Sequence, residues 1–152
     1  MPGIGCPSDT SAPTWRCPHD FAVGSYAPNY QVFGTNTING NHPKYRIGNL
    51  PDGTSNVLFL AERFGLPAGG ENDWVASVSN TGSQFAWESQ EGPQVGIRVD
   101  QSDWKRPNSA HPGGMVAGLG DGSVRTISGR ISQSTWWSAC VPDDSAALGS
   151  DW

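Results

Sequence analysis

A chain of 152 residues has room for one domain with a real core. Its formal charge of -5 and its nine scattered Lys and Arg provide no basic stripe to follow a phosphate backbone, so nucleic acid is not expected as a partner. No apolar run approaches the roughly 20 residues of a membrane span, and the opening MPGIGCPSDT holds neither a charged n-region nor an apolar h-region.

With 20 Gly and 12 Pro and only 15% charged residues, the chain should be built from turns and short elements. The expected class is α+β, mainly β: a single domain with a central antiparallel sheet, an Asp-Gly hairpin near the C-terminus, one short C-terminal helix and long loops. Residues 1–20 read as an extended N-terminal segment, because prolines at 2, 7, 13 and 18 interrupt any periodic pattern, and residues 21–152 read as the globular part. Cys6 and Cys17 open matching tetrapeptides, CPSD and CPHD, and Cys140 stands apart. A zinc site needs closer ligand pairs than this interval offers, even with His19 beside Cys17. Free buried thiols are one reading. The other, favoured here, is a Cys6–Cys17 disulfide that pins the N-terminal segment and implies an oxidising compartment.

FAVGSYAPNYQVFG, residues 21–34, mixes aromatic and β-branched residues with Gly and Pro and predicts two short strands broken at Pro28. Asn39-Gly40 then signals a turn in an exposed connection. In residues 47–65 an oxygen-rich turn, DGTSN, runs into VLFLA, an apolar run that fits a central strand buried on both faces, with the Glu62 carboxylate at its end needing water or a partner. WVASV and QFAW are candidate edge strands, and Gly96–Val99 another short strand. VAGLG and SVRTI flank Asp121-Gly122, a two-residue hairpin signal whose register would pair Leu119 with Val124 and Val116 with Ile127. That register places Ala117, Leu119 and Val124 on one face. ISQSTWWSACVPDD predicts a short helix with Ser132 as N-cap, ended by Pro142.

Chemistry is sparse. There is no G-x-S-x-G elbow, and the cysteines at 6 and 17 sit in Pro-bound loops, so an enzyme is not expected. Asp52, Thr54 and Asn56 in DGTSN offer hard oxygens to Ca²⁺, but the stretch lacks the alternating acids of a calcium loop and equally forms a turn satisfied by its own backbone. His111 opens a Pro-Gly-Gly turn with Gly113 and Gly114, ahead of the hairpin. A structural peg that hydrogen-bonds Glu62 is the favoured reading, beside a divalent metal ligand and a catalyst. Trp136 and Trp137 cannot both face the core, so the exposed one, with Trp152, is a candidate for self-contact. No Asn-x-Ser/Thr sequon occurs, so glycosylation of the chain would have to be O-linked.

CPSD at 6–9, SYAPNY at 25–30, DGTSNVLFLAE at 52–62, HPGGMVAGLGDGSV at 111–124 and the ending from STWWSAC to LGSDW together resemble, in order, bacterial prepilin-like proteins of the domain of unknown function 1559 family. Their signature is a His, nine residues and Asp-Gly, here His111, Asp121 and Gly122. The resemblance implies a secreted or surface-attached protein related in assembly logic to type IV pilins. Members begin with a basic leader and a long apolar helix, which these residues do not contain; the chain then corresponds to the globular part, or to a branch that assembles through its folded domain. Two functions follow: a structural subunit of an extracellular homopolymer, or a surface-exposed module that binds glycans or depends on calcium.

Overall fold

A computed structural model describes residues 4–34, 45–73, 83–87 and 89–152. Among the described residues six strands, β1 (Tyr26–Pro28), β2 (Leu58–Glu62), β3 (Gln94–Val95), β4 (Asn108–Ser109), β5 (Met115–Leu119) and β6 (Val124–Ile127), are accompanied by α1 (Tyr30–Phe33) and α2 (Gln133–Cys140). The main sheet runs β1-β2-β5-β6, antiparallel throughout, while β3 and β4 form a small parallel pair. The fold is therefore mainly β with one C-terminal helix, as composition and turn signals imply.

VLFLA does form the central strand, held between β1 and β5, but it is covered on one face only. Leu58 and Ala61 are fully buried, whereas Leu60 is 38% exposed. An irregularity between Leu58 and Leu60 inserts Phe59 as an extra residue, and its ring meets Phe33 edge-on at 5.1 Å. On the covered face Ala27, Ala61 and Ala117 are small enough for α2 to approach, and Trp136 packs there against Phe85 at 5.9 Å between ring centroids. Ser132 caps α2 through Thr135 N, and Thr135, Trp136, Ala139 and Cys140 form its buried side.

Four expectations shift by local physics. Residues 30–33 form a helical turn instead of a second strand, because Asn29 caps it through Gln31 N. The hairpin has three loop residues: Gly122 N bonds Leu119 O, Leu119 N bonds Ser123 O, and Gly122 at φ +84° takes the left-handed position of a bulged turn. Register moves by one, pairing Gly118 with Val124 and Met115 with Ile127. A one-residue slip reverses faces, so Val124 is 71% exposed while Met115, Ala117 and Leu119 are buried. QFAW makes one bridge, Asn29 to Phe85, before Ala86 turns at φ +58°. The strand expected at Gly96–Val99 lies at Gln94–Val95, ended by Gly96 at φ +68°, and Val99–Gln101 is a 3-10 turn. Asn39-Gly40 and WVASV lie outside the described residues.

The repeated tetrapeptides are turns. Asp9 N bonds Cys6 O and Asp20 N bonds Cys17 O, both at 2.9 Å, with Pro at the second position where its fixed φ suits a type I or II turn. The first is then clasped to the body: Asp9 Oδ2 accepts from Ser25 Oγ at 2.7 Å and Gly65 N at 2.8 Å, and Oδ1 accepts from Ser11. At the other end Asp151 accepts from Ser132 N and Thr135 Oγ1, both at 2.6 Å, folding the C-terminus over the start of α2.

These contacts set two expectations. Gly114 sits at φ +139°, and a Cβ there would meet Thr126 Cγ2 at 2.4 Å and Ile127 O at 2.9 Å, whereas Gly113 faces open space. Gly114→Ala is expected to cost about 2 kcal/mol or more and Gly113→Ala less than about 1, read by urea unfolding. The Thr135 hydroxyl, then the Ser132 amide, hold the Asp151 carboxyl down to about 2 from its ordinary 3.8. Its contribution is therefore present above that ordinary value and lost as pH falls toward 2. The unfolding free energy measured across that acid range should fall less steeply with falling pH in Asp151→Asn than in the parent.

Candidate functional site

Glu62, the last residue of β2, is only 4% exposed, and a buried carboxylate must be solvated by the protein itself. Its Oε2 accepts from Ser109 Oγ at 2.9 Å and from Val116 N at 2.8 Å. The side chain thereby occupies the next ladder position between β2 and β5 and ties β4 to both. Its Oε1 faces His111 Nε2 at 3.3 Å. His111 is itself placed by its backbone, whose N–H reaches Ser109 Oγ at 3.2 Å.

The ring has a second neighbour that sequence reasoning missed. Cys6 Sγ lies 3.4 Å from the same Nε2 atom. The three donor atoms, Sγ, Nε2 and Oε1, lie within 4.8 Å of one another, the one such cluster of three among the described residues. They border a small cavity of about 10 Å³ that Ser8, Ser25 and Asn108 also line. Burial, then the neighbouring Glu62 and Cys6 side chains, raise the Tyr26 phenol above its usual value. The only sequence signal for Cys6 here was its turn, which presents the side chain toward the sheet.

This geometry overturns the expected disulfide. Cys6, Cys17 and Cys140 are all free thiols. Cys6 points at His111, while Cys17 is buried in a separate cluster with Ala12 and Val23. Cys140 lies in the main core, where burial pushes its thiol well above the usual value.

Asp52 and the Thr54 backbone are tied into the fold. Asp52 Oδ2 and Oδ1 accept from the backbone N–H of Asp144 and Ser145 at 3.0 and 3.1 Å, and Asn56 Nδ2 donates to Asp52 O at 2.9 Å. Thr54 O accepts from Asp121 N at 3.1 Å, so the loop fastens the hairpin tip to the C-terminal segment. The Asp121 carboxylate accepts from Ser123 N and Oγ, and these bonds hold it below the usual range: it belongs to the turn, with Gly122. Of the tryptophans, Trp136 is buried and is not a surface residue, Trp137 is half-buried against the core, and Trp152 lies under the Arg125 guanidinium at 4.7 Å. Arg63, next to Glu62, is fully buried; desolvation lowers its pKa to about 10, opposed by the charges of Asp103 and Asp73.

Glu62→Leu strands the Val116 amide and the Ser109 hydroxyl and is expected to cost about 2–4 kcal/mol in chemical unfolding. His111 has a side chain 39% exposed, so His111→Ala should cost about 1 kcal/mol or less in the same measurement.

Neither the curated proteins nor the solved structures contain a match to this chain. A family profile does match, over residues 1–134, which takes in Cys6, Glu62, His111, the hairpin and the start of α2. The chain belongs to the family described as Protein of unknown function (DUF1559).

Proposed function

We propose that this protein is a structural subunit of an extracellular homopolymer on the bacterial surface, assembled through its folded domain. The observation that carries the reading is the uncovered side of the sheet. Pro28, Leu60, Gly118 and Val124 are register partners in one row across all four strands, and Leu60 and Val124 present their side chains to solvent. At the end of that row, among the described residues, β6 is an edge strand with one neighbour, β5, and its residues Val124, Arg125 and Thr126 are exposed. An edge of this kind is a template for pairing with another chain, and the apolar row adds area to the same contact. Glycine at 118 lets a facing backbone come close.

The local chemistry supports a non-enzymatic role. A nucleophile relay needs an imidazole that meets the nucleophile with one nitrogen and the orienting acid with the other. Here Nε2 alone faces both Cys6 and Glu62. A second reading, a surface binding module, draws on a groove of about 490 Å³ bordered by Asp52, Asn56, Leu148 and Trp152, where a sugar ring could stack. The Arg125 contact already occupies one neighbour position of that indole and favours the first reading.

Sedimentation and negative-stain imaging over a rising concentration series test the assignment. The parent chain should form regular oligomers or filaments, and Val124→Lys should stay monomeric with its unfolding midpoint unchanged, since Val124 contributes little to the core. A chain that remains monomeric throughout, and binds glycans in a way that Trp152→Ala abolishes, would favour the binding module instead.

A further inference from the structure

We propose that Cys6, Glu62 and His111 form a binding site for a divalent transition metal of the zinc type. Thiolate, imidazole and carboxylate are the three donors zinc takes in proteins, and a mixed sulfur, nitrogen and oxygen set excludes the hard cations that prefer oxygen alone. The spacing fits. Tetrahedral zinc, with Zn–N and Zn–O near 2.0 Å and Zn–S near 2.3 Å, holds its nitrogen and oxygen ligands about 3.3 Å apart and its nitrogen and sulfur about 3.5 Å apart. Nε2 lies 3.3 Å from Oε1 and 3.4 Å from Sγ.

Convergence on one imidazole nitrogen is what separates a ligand set from a hydrogen-bond chain. A single Nε2–H cannot serve a thiol and a carboxylate equally well, whereas a metal placed among the three atoms satisfies all of them. The surroundings are those of a prepared site. Ser109 Oγ and Val116 N hold Oε2, leaving Oε1 turned toward His111, and the Ser109 hydroxyl also receives the His111 backbone N–H, so one residue orients two ligands. The cavity of about 10 Å³ beside them has room for a single water as the fourth ligand. Binding converts the Cys6 thiol to thiolate, its proton leaving to solvent. The three ligands come from the first turn, the central strand and the segment before β5, so a bound ion would cross-link the N-terminal segment to the sheet. The three donors lie within one chain, so the site does not depend on polymerisation.

Titration of the reduced full chain with Co²⁺ and then Zn²⁺ tests it. One equivalent of Co²⁺ should produce a sulfur-to-cobalt charge-transfer band with intense visible bands of a tetrahedral centre, and Zn²⁺ should erase them. Cys6→Ser should abolish the charge-transfer band. His111→Ala and Glu62→Gln should each weaken Zn²⁺ binding at least tenfold in competition with a chromophoric chelator. Cys17→Ser should change neither, and circular dichroism should show each variant folded. A spectrum that survives in Cys6→Ser, or Zn²⁺ affinity equal in the parent and His111→Ala, overturns the site. So does a parent chain that takes up no stoichiometric cobalt.

Discussion

A carboxylate buried at the end of a central strand is the constraint around which this fold is arranged. Glu62 cannot remain in the interior without partners, and its two oxygens draw in groups from elements far apart in sequence: Ser109 from β4, Val116 from β5 and His111 from the turn between them. Satisfying it brings the β3-β4 pair against the main sheet and delivers the imidazole to the place where the N-terminal turn presents Cys6. What makes the sheet end stable also makes it chemically distinctive.

The same economy operates elsewhere. Strands of two to five residues cannot pair all of the chain's backbone groups, and buried side-chain amides take over. Asn29 Nδ2 donates to both Leu58 O and Cys140 O at 2.7 Å, joining β2 to the end of α2, while its Oδ1 caps α1. Asn108 Oδ1 accepts from Phe64 N at 2.7 Å, and Asn72 Nδ2 donates to Gly24 O at 2.6 Å. These bonds act as ladder rungs where the chain is irregular, which is how a sequence rich in Gly and Pro still builds a defined interior. Because α2 and the buried Phe85 cover one face of the sheet, Leu60 and Val124 on the opposite face and the β6 edge stay exposed among the described residues.

Much of the architecture was legible in the residues. The apolar run after DGTSN marked the central strand, Ser132 and Pro142 bracketed α2, and a histidine before a hairpin beside an acidic strand end suggested the approach of His111 to Glu62. Local errors have local causes. Asp-Gly signals a hairpin but does not distinguish a two-residue turn from a three-residue one, and the choice made by Gly122 reversed which face Val124 occupies. Residues 21–34 have strand composition, although an asparagine at 29 able to accept from an amide two residues on starts a helical turn just as readily.

Sequence alone determined the class of fold, because turn chemistry, apolar runs and helix caps act over a few residues and can be read where they stand. Tertiary structure decided the rest. Whether Cys6 faces Cys17 or His111, which of two adjacent tryptophans is buried, and which backbone amides the Asp52 carboxylate accepts from depend on groups brought together from distant positions. No spacing along the chain encodes the convergence of Cys6, Glu62 and His111, since it arises from a buried charge that selects its partners only when the strands have paired.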